Sequence, residues 1–127
     1  HELAEILGFA RISVLTPKAH DEMVGFLSQL THVIAMSLMN CNDNPDLAAY
    51  TGDSFRDLTR IARINDRMWS ELFLLNREVL VRQIDAFSAE LAAVRQDLID
   101  QDEADLRERM RRSTARRALF DKERRPT

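Results

Sequence analysis

The 127 residues suffice for one domain around one core, and three glycines with three prolines leave too little turn chemistry for a many-stranded β fold. The single cysteine, Cys41, excludes an internal disulfide, and no apolar run reads as long enough to cross a bilayer. His1-Glu2-Leu3-Ala4-Glu5 lacks the basic-then-apolar order of a leader, so the cytoplasm is the expected setting, and the abrupt helical start reads as a fragment of something longer.

Residues 1–7 read as the last turns of a helix stopped by Gly8, and residues 11–15 as at most a short strand or an extended connector. Thr16-Pro17 opens the next helix: Thr16 can cap free N–H groups, and Pro17 is harmless at the first helical position. Met23, Phe26, Leu27, Leu30, Ile34 and Leu38 recur at three and four, and Val24, Val33, Ala35 and Met36 broaden the face. Such a helix belongs at the centre of a bundle; it is expected to end near Met39. Residues 40–53 form a polar loop, after which Ser54, with Asp57 three residues on, is placed as the cap of a short helix. The pattern breaks near Ile64, where Asn65-Asp66 can cap a new helix.

Along that helix Trp69, Phe73, Asn76, Leu80, Ile84, Phe87, Leu91, Val94 and Leu98 recur at fours and threes, a heptad-like seam. At about 1.5 Å per residue it would span nearly 50 Å. A domain of this size, with a radius of gyration of about 14 Å, has too little of itself to cover it. A second copy of the chain is the economical cover. Asp100-Gln101-Asp102 breaks the helix, residues 103 to about 119 make a basic final one, and the last few residues fray.

The net charge is −3, yet nine of the 18 Lys and Arg lie after Leu106, opposed there only by Glu108, Asp121 and Glu123. No aromatic residues interleave these arginines for base stacking, so packing on the acidic remainder or on a second subunit is preferred to nucleic-acid binding. Three groups could carry chemistry. His20-Asp21 starts the central helix, where a structural role is preferred. Ser28 and His32, four apart, share a polar strip that needs partners or lines a pocket; alone, a satisfied core histidine is the commoner case. Arg56, Arg60, Arg63 and Arg67 would line one side of a continuous helix, fit to grip carboxylates or simply to stay solvated beside Asp53, Asp57, Asp66 and Glu71. No metal-ligand spacing, no G-x-G-x-x-G and no P-loop is present in the sequence. The residues thus describe an all-α helical bundle, residues 1–127 as a single domain, with one long heptad-like helix, an intertwined dimer and an arginine-lined polar pocket.

His20-Asp21, Ser28-x-Leu30-x-His32, Phe55-Arg56-Asp57-Leu58-Thr59-Arg60-Ile61-Ala62, Trp69 and Asn76 stand in an order and spacing that resembles the C-terminal dimerisation domain of prephenate and arogenate dehydrogenases, from about Leu3 to about Phe120. Thr59-Arg60-Ile61-Ala62 is the most specific stretch. The resemblance implies a domain of an NAD- or NADP-dependent enzyme of tyrosine biosynthesis that converts prephenate oxidatively to 4-hydroxyphenylpyruvate and CO2. The cofactor and the catalytic histidine would belong to an N-terminal Rossmann domain that these residues do not contain. This domain would supply the homodimer interface and one wall of the substrate pocket, and by itself is expected to be inactive. Arg60 would bind a substrate carboxylate, with His32, Ser28 and Gln29 lining the same pocket. Gln29 stands where the family usually has histidine, and Thr31 where it has proline; Gln29 can donate a hydrogen bond but cannot titrate. The alternative is a stand-alone helical interaction module without catalysis, against which the retention of Arg60, His32 and Ser28 argues.

Overall fold

Thr16 and Pro17 act as their chemistry dictates: Thr16 Oγ1 accepts from the Ala19 amide at 3.0 Å, and helix α1, Pro17–Val24, starts on the proline. The computed structural model describes residues 16–121; the expected helix over 1–7, the connector over 11–15 and the extreme C-terminus lie outside them. After α1 the chain makes one π-helical turn, Gly25–Gln29, and runs straight into α2, Leu30–Asn40. Pro45–Tyr50 form a 3-10 turn, α3 spans Asp53–Thr59, and a second 3-10 turn covers Arg60–Ala62. Then follow α4, Asp66–Leu75; α5, Arg77–Asp100; and α6, Glu103–Ala118. The described residues hold no strand, and the all-α expectation is met.

Three local expectations are corrected. The short helix begins at Asp53 with Gly52 as its cap, not at Ser54, and no side chain closes it. The arginine stripe is not continuous, because Arg63 is extended (φ −76°, ψ 108°) and Asn65 starts a new helix by accepting from the Met68 amide at 3.0 Å. The long seam is not one helix either: Asn76 (φ −114°, ψ 30°) leaves the helical region, so Trp69 and Phe73 lie on α4 and the members from Leu80 on lie on α5. A fourth correction concerns Pro17–Asn40. Because the π turn does not interrupt it, this 24-residue run matches a bilayer span in length, with a mean hydropathy of 1.2 over an 18-residue window, although Glu22 and Gln29 on it are bonded to other helices.

The chain divides into two compact units, residues up to Asp85 and residues from Ala86. In the first, the buried apolar side chains among the described residues are Leu30, Ala35 and Leu80, and α2 packs against α3 and the Arg60–Ala62 turn. Arg82 Nη2 bonds Glu22 Oε2 at 2.7 Å and holds the Glu22 carboxyl below its ordinary value of 4.5, so that contact weakens as acid protonates it.

In the second unit no apolar side chain among the described residues is buried; the buried residue is Asp97. Arg109 ties its two helices together, reaching Glu90 at 2.6 Å and Asp97 at 3.2 Å on α5 and Asp105 at 2.8 Å on α6. The neighbouring Asp105 carboxyl, with burial, pushes Asp97 up from its ordinary value. Part of the basic C-terminal segment is thus spent on nearby acids, since Arg111 also meets Glu108 and Arg117 meets Asp121. The turn joining the helices places Gln101 at φ 54°, a left-handed conformation that strains a side chain with a Cβ. Gln101→Gly is therefore expected to stabilise the chain by about 0.5–1 kcal/mol, read as a higher urea midpoint with an unchanged slope.

Candidate functional site

The polar strip begins in the π turn. Gly25 sits where a Cβ would come within 2.6 Å of Gln83 Oε1 and 3.2 Å of Asn76 Nδ2, so only glycine fits that approach unaided. A π turn carries one extra residue, and such turns recur at functional sites. It delivers Ser28 and His32 to a half-buried position on the α2 side of the bundle. The Ser28 carbonyl accepts twice, from Thr31 Oγ1 at 2.7 Å and from His32 Nδ1 at 2.8 Å. A carbonyl cannot donate, so Nδ1 carries the proton, and whenever the ring is uncharged Nε2 is left as an acceptor. Trp69 stacks on that ring with centroids 3.9 Å apart and planes 23° apart, and Phe73 follows at 5.8 Å. The ring is thus held at one edge and one face.

Arg60 opens the 3-10 turn that packs against α2, the helix of His32. It is exposed and has no ion pair among the described residues, whereas Arg56 meets Asp53 at 3.6 Å. Arg63 and Arg67 are also exposed, but the chain bend at Arg63–Asn65 puts Arg67 on α4. His20 and Asp21 make a loose, largely exposed pair at 3.5 Å.

Gln29 is placed differently from Ser28 and His32. It is 5% exposed, its Oε1 accepts from Asn76 Nδ2 at 2.8 Å and its Nε2 donates to the Leu72 carbonyl at 3.4 Å. An open cavity of about 610 Å³ lies where α2 ends, lined by Leu38, Met39, Leu47, Phe55 and Arg56, among others. Neither Arg60, His32 nor Ser28 lines it; the arginine in its wall is Arg56. The stacking of Trp69 on His32 escaped the sequence reading, which placed Trp69 in the apolar seam. The signal available was its bulk at the first position of the seam, directly after a capped start.

The family profile described as prephenate dehydrogenase, dimerization domain, matches residues 16–112. The chain is 33% identical over 98 residues to a cyclohexadienyl dehydrogenase of Zymomonas mobilis, covering 72% of this chain and 33% of that protein. It is 33% identical over 97 residues to a prephenate dehydrogenase of Lactococcus lactis subsp. cremoris, covering 71% of this chain and 27% of that one. It thus spans about a third or less of the length of these curated relatives. Among solved structures, prephenate dehydrogenase from A. aeolicus, in complex with hydroxyphenyl propionate and NAD+, aligns with a TM-score of 0.77 at 30% identity over 84% of this chain and 39% of that one. Synechocystis arogenate dehydrogenase aligns with a TM-score of 0.77 over 91% of this chain and 48% of that one, at 17% identity, a likeness of fold.

Proposed function

We propose, for a chain that belongs to the prephenate dehydrogenase family and matches its dimerization domain, that it builds the homodimer and one wall of the substrate pocket in an NAD- or NADP-dependent prephenate or arogenate dehydrogenase of tyrosine biosynthesis. The reaction is an oxidative decarboxylation: a hydride leaves the substrate ring, the ring carboxylate departs as CO2, and prephenate becomes 4-hydroxyphenylpyruvate. The nicotinamide supplies the hydride acceptor when bound. The sequence has no glycine-rich phosphate loop, so we assign the cofactor to a Rossmann half carried by the rest of the enzyme. The setting we assign is the cytoplasm, in keeping with the free, exposed thiol of Cys41.

The observation that carries the reading is Arg60, an exposed guanidinium with no carboxylate partner among the described residues, on a turn packed against the helix of His32. A planar guanidinium can take one carboxylate of a dianion through two parallel hydrogen bonds and fix its orientation. His32, held by Ser28 and Trp69, can offer Nε2 of the uncharged ring as an acceptor to a hydroxyl or amine of the substrate. Ser28 stands beside it; Gln29 reaches the pocket only through what it holds in place. The test compares this chain alone with the whole dehydrogenase, each given prephenate or arogenate with NAD+ or NADP+. Reduced nicotinamide should form with the whole enzyme and not with the chain alone. Turnover by the chain alone would overturn the assignment.

A further inference from the structure

We propose that Gln29 is a positioning residue whose buried carboxamide clasps the helix break at Asn76 and so holds Trp69 in register against His32. Gln29 closes the π turn, one turn before His32 on the same continuous helix. Its partners are Leu72 and Asn76, at the end of the helix that carries Trp69. The short bond is the one from Asn76, whose Nδ2 also donates to the Asp21 carbonyl at 3.2 Å, so one amide group spans both ends of the turn. Gln83 completes the cluster: Nε2 donates to the Glu22 carbonyl at 2.9 Å, and Oε1 is buried without a partner, facing Gly25.

Three carboxamides therefore surround a turn that has no Cβ at its first residue. Amides suit this place because each offers a donor and an acceptor without a charge to desolvate. A buried carboxamide with both ends engaged cannot swing out to a ligand without leaving Asn76 and Leu72 unpaired. The clasp also accounts for the non-helical Asn76: its side chain is committed to α1 and the π turn, and its backbone yields. The sliding of α4 along α2 would unstack Trp69 from His32, and the Gln29 contacts to Leu72 and Asn76 oppose that sliding. The importance of the stack for catalysis rests on the reading of Arg60 and His32 as a substrate wall; the clasp itself does not.

The test is proton NMR of the full chain, without substrate. Trp69 is the single tryptophan, and a ring stacked at 3.9 Å moves the His32 ring protons upfield by its ring current. Trp69→Leu identifies the shifted signals by abolishing the shift. In Gln29→Met the upfield displacement should fall by more than half while the helical circular dichroism is retained. Asn76→Ala should do the same, and the double variant should lose little beyond the larger single loss, as expected of one shared contact. If Gln29→Met does not fold, Asn76→Ala alone decides. Retention of the full shift in a folded variant overturns the proposal, as does its loss only together with the helical signal. Arg60 or His32 variants of the whole dehydrogenase that left KM unchanged would sink the substrate wall and leave this result standing.

Discussion

Arg60→Ala, made in the whole dehydrogenase, is expected to lower kcat/KM for the carboxylate substrate about a hundredfold, mostly through KM, while the cofactor KM stays put. Two charge-assisted hydrogen bonds contribute about 1.5 kcal/mol each, and 2.7 kcal/mol is roughly a factor of a hundred. Nothing in the folded chain should suffer from the loss, because Arg60 is exposed and pairs with no carboxylate among the described residues. Arg60→Lys should recover about tenfold at most, since an ammonium keeps the charge but not the planar fork. Steady-state kinetics with the thermal midpoint measured alongside separates the two contributions. A drop in kcat/KM below about threefold would remove Arg60 from the site.

The second large effect concerns the seam on α5. Leu91 and Leu98, seven residues apart and 59% and 63% exposed, flank an open apolar groove that also includes Ala92, Val94 and Ile99. A symmetric dimer counts each substitution twice. If a second copy covers this face, Leu91→Asp with Leu98→Asp withdraws four leucine side chains, about 1 kcal/mol each for the fraction still to be buried. The dimer should then weaken at least about a thousandfold, before the cost of enclosing four carboxylates. Light scattering over a dilution series reads this directly. Equal dimer mass for wild type and variant down to low micromolar would place the interface elsewhere.

The helix starts that rest on a side-chain acceptor are legible in the sequence. Thr16, Asn65 and the Asp100–Asp102 break are found where residue chemistry puts them, because a cap is decided by a handful of neighbouring atoms. The start at Asp53 is not legible: Gly52 supplies no acceptor, while Ser54 imitates one. The site shows the same division. Ser28 and His32 are neighbours by helical spacing alone, so their proximity is readable. The stack of Trp69 on His32 and the inward turn of Gln29 depend on contacts across some forty residues. The polar Asn76 within an apolar seam is the trace that such a contact leaves in a sequence. Its consequence, a broken helix, is not visible there, since asparagine fits a helix nearly as well as many residues do.

The absence of buried apolar side chains among the described residues of the second unit also bears on how the chain reaches its native state. From Ala86 on, the α5–α6 hairpin has a strained turn and an arginine joining three acids, but among its described residues no buried hydrophobic nucleus to reward its closure. If a second copy of the chain completes this surface, its contacts cannot form ahead of the encounter, and the late phase of folding becomes a bimolecular event. Its rate then scales with how many nascent copies meet, and a chain emerging alone waits with its leucines open to whatever else it touches.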